Sequence, residues 1–432
     1  MSQYVVFVDE DLVAGSVQML ADTGDGAAAQ PMMPTAAEQI AFRRTVLGGI
    51  ASAMAGHGAA GPAMMAASAN SAMAAAADVG VSASAPDPDA GIQILEGANA
   101  IVVDEDAVNI AALRKVVGLT VFPNIQISLP RPIVLEASAM PAPDWHLDII
   151  GATGDPAAGR GILIGVLDTG IDAAHSEFAG KTIHFQEFDA AGQKVAGGPR
   201  DAGEHGTHVC STIAGKTAGV APGADLAVAA VLTNDDGFGR MSGSLVQIVN
   251  GFDWLVKTAF RTRFPGVDVI NASLGGRGFN GYLQTAVRSA FAMGIPLVAA
   301  VGNSGRSGQG NHGSPANYPN VLSVGASDVN DRIAEFSDWG TGAPPTGPSY
   351  PLPELCAPGV DVHAAKPGGG FQRMSGTSMA TPVVTGVAAR RMAATPTLIG
   401  KPGAIFADLR TKLAPYAQGP LGNQGGAGRI IA

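Results

Sequence analysis

The sequence predicts an α/β protein with a doubly wound, mostly parallel sheet and a smaller α+β module in front of it. From residue 161 onward, short apolar runs alternate with segments of helical spacing. Such alternation favours parallel strands joined by right-handed crossovers. Within the first 129 residues, strand-like runs flank a helix-like run, which indicates a separate small module. With 432 residues, 46% of them hydrophobic, the chain is long enough to bury both cores.

Composition limits the classes of partner and compartment. The formal net charge is −10 and no long basic run occurs, so we expect no nucleic-acid partner. The two cysteines, Cys210 and Cys356, do not make a disulfide framework, and two independent buried thiols are favoured over one disulfide. Residues 45–77 lack charged side chains but are too weakly apolar for a membrane span. No signal peptide is recognisable, which leaves the cytoplasm and an unrecognised export route both open.

Residues 1–129 carry the elements of the small module. These are strands at Tyr4–Val8, Ile92–Leu95, Ala100–Val103 and Leu119–Leu129, and helices at Ala36–Met54 and Ala107–Val117. Asp104 to Asp106 can cap the second helix and Gly118 can end it. Residues 55–90 are rich in Ala, Gly and Ser and then in Pro and Asp, so we expect a flexible insertion there.

A linker at 130–144 and the main domain at 145–432 complete the chain. Four prolines between 130 and 143 predict an extended linker. The predicted strands of the main domain are Gly161–Leu167, Leu226–Leu232, Val267–Ser273, Ile295–Val301 and Val321–Ala326, and the predicted helices are Leu245–Phe260 and Tyr282–Met293. A further helix-like run follows residue 378.

Three residues of the main domain have the types that nucleophilic catalysis needs. Ser378 begins a helix among small residues, where free backbone N–H groups can stabilise an oxyanion. A serine needs a base and an orienting group, and His205 and Asp168 stand upstream, Asp168 at the end of an apolar strand. Taken singly, the three could be a helix cap, a surface histidine and a turn former. Together they predict a catalytic triad.

The segments around these residues closely resemble the signature segments of the subtilisin-like serine proteases. They are Asp168-Thr169-Gly170, His205-Gly206-Thr207-His208, Gly376-Thr377-Ser378-Met379-Ala380-Thr381-Pro382, Ala299-Ala300-Val301-Gly302-Asn303 and Asn271-Ala272-Ser273-Leu274-Gly275-Gly276. The resemblance implies a subtilisin-like fold for residues 145–432 and serine endopeptidase activity through an acyl-enzyme intermediate. It also implies that the side chain of Asn303 helps to form the oxyanion hole.

The same resemblance suggests substrate-binding positions. An edge segment would pair with substrate backbone, a loop would border the groove, and a pocket wall would receive the primary side chain. The residues concerned are Ser273, Leu274 and Gly275 in the edge segment, Gly237 and Met241 in the loop, and Ala300, Gly302 and Gly313 in the pocket. Met241 and Phe238 could instead serve ordinary loop packing. No motif puts an acidic residue at the pocket, so we expect it to prefer an apolar or uncharged polar side chain.

No cofactor is expected for the chemistry, and no metal-ligand residue is predicted. Glu177 occupies a position where relatives often carry an aspartate that binds structural calcium. The loop that completes that site is missing after His205, and one glutamate does not supply the six to eight oxygens that calcium prefers. We therefore expect the usual calcium site to be absent. Polypeptides are the expected substrates, and the protein is expected to be a monomer.

The resemblance assigns residues 1–129 to a ferredoxin-like propeptide that would chaperone folding and inhibit the active site. Self-cleavage would then fall between about Leu129 and Asp144. An unrelated N-terminal domain is the alternative.

Three other functions compete with that of a serine peptidase of this family. A zinc protease using His205 and His208 is disfavoured, because the His-Glu-x-x-His pattern is absent. A sedolisin-type enzyme would carry glutamate in place of the histidine. A catalytically silent or permanently inhibited subtilase scaffold that acts as a binding module stays open as the alternative.

Overall fold

The computed structural model describes residues 2–9, 36–56, 91–129, 133, 141–237, 240–261, 265–342, 348–416 and 424–432. Most of the predicted insertion and most of the predicted linker lie outside these residues. The chain divides into two compact units. The first comprises Met1–Ile125, Phe252–Gly266 and Thr285–Met293, and the second comprises Gln126–Gly251, Val267–Gln284 and Gly294–Ala432.

The N-terminal part of the first unit contains a four-stranded antiparallel sheet and two helices in the order β-α-β-β-α-β. Its elements are β1 (Gln3–Val8), α1 (Ala36–Gly56), β2 (Ile92–Leu95), β3 (Ala100–Asp104), α2 (Ile110–Leu113) and β4 (Leu119–Pro123). The strand order is β2-β3-β1-β4. Val6 and Val103 from the sheet and Leu47 from α1 share one fully buried apolar cluster.

The second helix of this unit is shorter than the sequence predicted. Instead of Ala107–Val117, only Ile110–Leu113 is α-helical, because Asn109 caps it and its side chain accepts a hydrogen bond from Ala112 N at 3.0 Å. At the other end, the N–H groups of Lys115 and Val116 bond three residues back rather than four. The last turn is therefore of the tighter 3₁₀ type.

The predicted single strand Leu119–Leu129 is also wrong in extent. The structure breaks it at Asn124 and Ile125 into β4 and a second strand, β5 (Gln126–Ser128). The two halves belong to different sheets. Strand β4 pairs with β1, whereas β5 pairs with the strand Met241–Ser244. An apolar run alone does not reveal such a change of partner.

The second unit is organised around a ten-stranded sheet. Its strands in spatial order are Leu413–Ala414 (β22), Arg429–Ile430 (β23), Leu355–Pro358 (β19), Val321–Ser327 (β16), Leu297–Ala300 (β14), Val269–Ala272 (β12), Leu163–Asp168 (β6), Asp225–Ala230 (β9), Ile183–Phe188 (β7) and Lys194–Val195 (β8). Only the outermost pairs, β22 with β23 and β7 with β8, are antiparallel. The predicted α/β class with a large, mostly parallel sheet is confirmed.

Shorter strands and the helices complete the chain. The remaining strands are Asn234–Asp235 (β10), Met241–Ser244 (β11), Gly276–Arg277 (β13), Gly313–Ser314 (β15), Gly340–Gly342 (β17), Tyr350–Leu352 (β18), Val362–Ala365 (β20) and Phe371–Met374 (β21). The helices are Trp145–Asp148 (α3), His205–Ala214 (α4), Leu245–Lys257 (α5), Gln284–Ala292 (α6), Thr377–Ala394 (α7) and Pro402–Arg410 (α8). Helix α7 packs against β12, β14, β16 and β19, and its first thirteen residues are buried.

Candidate active site

Asp168 and His205 come from neighbouring elements and meet through a short hydrogen bond. Asp168 is the last residue of β6 and is fully buried, and His205 is the first residue of α4. The Nδ1 atom of His205 lies 2.8 Å from Asp168 Oδ1 and 3.0 Å from Oδ2. Because a carboxylate only accepts, Nδ1 carries the proton and Nε2 is left as an acceptor. Within the described part of the chain, Nε2 is buried and has no hydrogen-bond partner.

Ser378, in the first turn of α7, is paired with Ser273. Its hydroxyl donates to the carbonyl of Ser273 at 3.1 Å, and the Ser273 hydroxyl donates to the carbonyl of Ser378 at 2.9 Å. The second bond has a local cause, since Pro382, four residues later in the helix, has no N–H to offer that carbonyl. Ser273 therefore both supports the start of α7 and holds the serine oxygen.

Asn303 follows β14 and has a fixed amide orientation. Both the backbone N–H and the hydroxyl of Thr377 donate to Asn303 Oδ1, each at 2.9 Å. The amide nitrogen, Nδ2, must then be the group that faces away from Thr377. It stands beside Gly376, where an added Cβ would lie only 3.2 Å from it. Asn303 thus presents an amide donor at the start of α7, near Ser378, as an oxyanion site requires.

A carboxylate that sequence reasoning missed holds the histidine in place. Asp201 accepts hydrogen bonds from the Thr169 hydroxyl (2.6 Å), from Gly203 N (3.1 Å), and from both the N–H (2.7 Å) and the hydroxyl (2.6 Å) of Thr207. The Thr169 hydroxyl in turn accepts from Gly206 N at 2.8 Å. The network ties the residue after Asp168 to the two residues after His205. Its only sequence signal is an aspartate shortly before the histidine.

A cavity of about 250 Å³ adjoins Ser378 and gathers most of the predicted substrate-binding residues. Its lining includes Ser273, Leu274, Gly275, Ala300, Gly302 and Gly313 from the predicted set, together with Asn303 and Ser378. It also includes Arg277 and Asp338, which no motif indicated. Asp338 thus gives this lining an acidic residue, and the expected preference for an apolar or uncharged polar side chain stays a prediction.

Gly237 and Met241 are not among the residues that line this cavity. Gly237 lies in an exposed turn, where its N–H bonds to Asp235 Oδ1 at 2.9 Å. Met241 is buried in β11, and its carbonyl accepts from Leu129 N at 2.7 Å. Phe238, the other predicted loop residue, lies outside the described residues.

Residues 126–133, at the end of the N-terminal region, contact β11 and the cavity. Strand β5 pairs antiparallel with β11, with Gln126 opposite Ser244 and Ser128 opposite Ser242. Ile133 donates its N–H to the carbonyl of Ser375 at 2.9 Å and lines the same cavity as Ser378. Residues 126–133 thus make main-chain contacts both with β11 and with the residue three positions before the serine.

Glu177 has its carboxylate occupied by protein donors. It is buried and accepts from Thr217 N (3.0 Å), the Thr217 hydroxyl (2.6 Å) and Ala218 N (2.9 Å). In the described ranges, no group of three or more His, Cys, Asp or Glu side chains is arranged to hold a metal ion. Cys210 and Cys356 are free and buried, as predicted, and burial raises the pKa of both thiols, that of Cys356 to about 12. No helix found in those ranges is long and apolar enough to span a bilayer.

Comparisons with known proteins agree with this arrangement. The model of the subtilase family, peptidase S8, matches residues 159–414. "Subtilisin-like protease 1" of Trichophyton verrucosum is 40% identical over 239 residues, which cover 55% of this chain and 54% of that protein. The protein of the same name from Arthroderma gypseum is 39% identical over 259 residues, which cover 58% of this chain and 49% of that protein. The chain therefore spans about half the length of these relatives.

A solved structure is also similar. A cold-adapted subtilisin-like serine proteinase superposes with a TM-score of 0.53 at 30% identity, covering 66% of this chain and 96% of that one. Three observations lead to one assignment. They are the sheet order, the segments around residues 168, 205, 303 and 378, and the family match over residues 159–414. The chain belongs to the subtilase family of subtilisin-like proteins.

Proposed function

We propose that this protein is a serine endopeptidase that hydrolyses peptide bonds through Asp168, His205 and Ser378. The observation that carries the proposal is the state of His205. Its Nδ1 is held by a fully buried carboxylate, and its Nε2 is a buried acceptor without a partner. An imidazole held in this way is prepared to take one proton at Nε2, which is what a general base for a serine must do.

The reaction follows from these positions. The Ser378 oxygen attacks the peptide carbonyl carbon while His205 Nε2 takes its proton. The oxyanion that forms is stabilised by Asn303 Nδ2 and by the backbone N–H of Ser378. The C–N bond then breaks, and His205 returns the proton to the leaving amine. Water repeats both proton transfers to release the acyl group and restore the serine.

Substrate binding would free the Ser378 hydroxyl from its hydrogen bond to Ser273. The Ser378 hydroxyl is bonded to the Ser273 carbonyl, and Ser273 belongs to the edge segment that we expect to pair with substrate backbone. A substrate N–H that takes this carbonyl would displace the serine hydroxyl. The hydroxyl would then turn to Nε2 of His205, the acceptor left open for it.

We also propose that residues 1–129 form a propeptide that is removed by self-cleavage between about Leu129 and Asp144. Support comes from β5, which pairs antiparallel with β11, and from Ile133, which donates to the Ser375 carbonyl and lines the cavity that adjoins Ser378. Further support lies within the first unit, where Asp253 accepts from Gly97 N at 2.7 Å and Lys257 contacts Glu96 at 2.6 Å. These contacts join the module to a segment that lies within the family match.

No cofactor enters the proposed chemistry. Glu177 is the residue at a position that relatives use for calcium. Its carboxylate already accepts hydrogen bonds from three donors of Thr217 and Ala218. We propose that the protein acts as a monomer on polypeptide substrates, with its own propeptide as its first partner.

Casein hydrolysis tests the proposed activity. Wild type should release peptides, and Ser378→Ala should not, whereas Ser349→Ala, which changes an exposed serine, should match wild type. If Ser378→Ala retains the wild-type rate, or if wild type is inactive after the module has been removed, the binding-scaffold alternative is favoured.

Intact mass tests the propeptide proposal separately. Wild type should be cut between about Leu129 and Asp144, while Ser378→Ala should keep its full length. If wild type stays whole and nevertheless hydrolyses casein, the N-terminal module is a permanent part of the enzyme and the propeptide proposal fails.

A further inference from the structure

Asp338 holds the residues on either side of Asn303. Its backbone N–H donates to the carbonyl of Gly302 at 3.0 Å, and its Oδ1 accepts from the N–H of Ser304 at 3.0 Å. Its Oδ2 lies 2.2 Å from where a Cβ on Gly302 would stand. The carboxyl group therefore uses space that only a glycine at 302 leaves open, and it lines the cavity beside Ser378.

The carboxyl group of Asp338 has little hydrogen bonding within the protein. In the part of the chain that the structure describes, the one hydrogen bond found to this carboxyl group comes from Ser304 N and goes to Oδ1. The side chain is nevertheless almost completely buried, with 1% of the residue exposed. A buried carboxylate is costly unless a positive partner or further donors reach it.

The charges around the cavity leave this carboxylate without an ion pair. Of the residues that line the cavity, only Asp338 and Arg277 are charged. The exposed Arg277 donates a hydrogen bond to Asn311 Oδ1, and no ion pair between Arg277 and Asp338 is found among the described residues. Burial raises the pKa of Asp338 to about 6, against the opposing effects of the Ser304 N–H and the charge of Arg277. At neutral pH the cavity therefore contains a negative charge.

The remaining lining suits the aliphatic part of a long side chain. Leu274, Ala300 and Val301 contribute apolar surface, and several glycines leave room beside it. The cavity volume of about 250 Å³ gives such a side chain space to enter. A lysine or arginine could lay its methylene groups along this surface and bring its cationic end to the carboxylate.

We propose that Asp338 is a specificity-determining residue that makes the enzyme prefer lysine or arginine as the substrate residue before the cleaved bond. The proposal rests on the proposed peptidase function and adds its substrate class. The cation supplies the charge partner that Asp338 lacks, so a neutral residue of similar size leaves the buried carboxylate unpaired. This reverses the expectation of a neutral preference, which depended on motifs that do not include residue 338.

Peptide nitroanilides that differ only in the residue before the cleaved bond provide the test. For wild type, kcat/KM with lysine should exceed that with leucine by about tenfold or more. Asp338→Asn should reduce this lysine-to-leucine ratio by about tenfold or more. The control is Glu335→Gln, which removes a negative charge three residues away from a side chain that is 82% exposed, and the ratio should stay as in wild type.

Three results would overturn the proposal. Wild type could prefer leucine over lysine, Asp338→Asn could lower both substrates equally, or Glu335→Gln could change the ratio as much as Asp338→Asn. An equal loss would mean that Asp338 only positions Asn303. If wild type cleaves casein but no lysine or arginine substrate, the preference fails while the peptidase function stands. If it cleaves nothing, both fail together.

The pH dependence of the lysine-to-leucine ratio of wild type gives a second test, which does not depend on whether a variant folds. The lysine-to-leucine ratio should fall as pH drops through about 6, because Asp338 then becomes neutral. Any group that acts on both substrates alike cancels in the ratio. The other charged group of the lining is Arg277, and burial lowers the pKa of His312, which lies outside the lining. A ratio that is flat from pH 5 to 8 would overturn the proposal.

Discussion

At the scale of single residues, the candidate site depends on which side-chain atoms already take part in hydrogen bonds within the protein. Asp168 uses both carboxyl oxygens on His205 Nδ1 and also accepts from Thr169 N at 2.7 Å. Asn303 uses its amide oxygen on Thr377. Among the described residues, no hydrogen-bond partner is found for Nε2 of His205 or for Nδ2 of Asn303, the two atoms that the proposed reaction requires. The protein thus holds the His205 ring through Nδ1 and the Asn303 amide through Oδ1, two atoms that take no direct part in the proposed reaction.

Replacing Asp168 by asparagine should lower kcat about 10⁴-fold with little change in KM. Asparagine can donate to Nδ1 and so favours the wrong histidine tautomer, with the proton on Nε2. Steady-state kinetics with one peptide substrate would measure the effect. A variant that retains more than a tenth of the wild-type kcat would contradict the role assigned to Asp168.

Removing the side-chain amide of Asn303 should act on the transition state. We expect Asn303→Ala to lower kcat by about 10²–10³-fold and to leave KM nearly unchanged, because the oxyanion exists only after attack. Asn330→Ala, at an exposed asparagine, is the matched control and should behave as wild type. A loss that appears only in KM would indicate ground-state binding instead.

At the scale of elements, β6 and α4 must approach closely for Asp168 to reach His205. The turn after β6 contacts the first residues of α4 so tightly that a Cβ on Gly206 would lie 2.1 Å from the carbonyl oxygen of Gly170. The Asp201 network holds the same two segments. A strand end and a helix start are thus fixed against each other by close backbone contact and by one carboxylate.

Substituting Gly206 by alanine should therefore damage both activity and stability. Overpacking of this kind costs about 1–3 kcal/mol, and the displaced helix start moves His205 away from Asp168. Urea unfolding and kcat should be measured together. Gly403→Ala is the control, since a Cβ there meets nothing within 4 Å in α8, and alanine should stabilise that helix slightly. Equal behaviour of the two variants would contradict the close-contact explanation.

The element scale also shows how far sequence reasoning reaches. Asp168, His205, Asn303 and Ser378 were predictable because each lies in a short local segment with a recognisable pattern. Asp338 was not, because its role arises when its loop folds back onto Gly302, and nothing near residue 338 indicates that contact. The division of β4 from β5 was hidden for the same reason, since strand partners are chosen in three dimensions. Long-range contacts, not local propensities, account for these misses.

At the scale of the whole molecule, buried neutral histidines make stability depend on pH. His146 and His208 are buried, and each ring donates one hydrogen bond, to the carbonyls of Ala218 and Val362 respectively. Burial lowers the pKa of both, that of His208 to about 3. In the unfolded chain a histidine binds its proton near pH 6.5. Stability is therefore fully present above about 6.5 and is lost as pH falls toward the folded-state values.

This loss should be measurable for one histidine at a time. Between about pH 6.5 and its folded-state pKa of about 3, His208 should reduce the free energy of unfolding by up to about 1.4 kcal/mol per pH unit. Urea unfolding between pH 7 and pH 5 should give a shallower slope for His208→Asn than for wild type, by about that amount. His184→Asn, at a partly exposed histidine, is the control. Parallel slopes for His208→Asn and wild type would refute the assignment.

The central claim is that the contact between Asp168 and His205 makes Ser378 reactive. Its most direct test is to treat the protein with a fluorophosphonate and to find the modified residue by peptide mass spectrometry. We predict a single adduct on Ser378, formed rapidly in wild type and at least about 10³-fold more slowly in His205→Ala. An adduct elsewhere, no adduct on the processed protein, or equal rates with and without His205 would contradict the account.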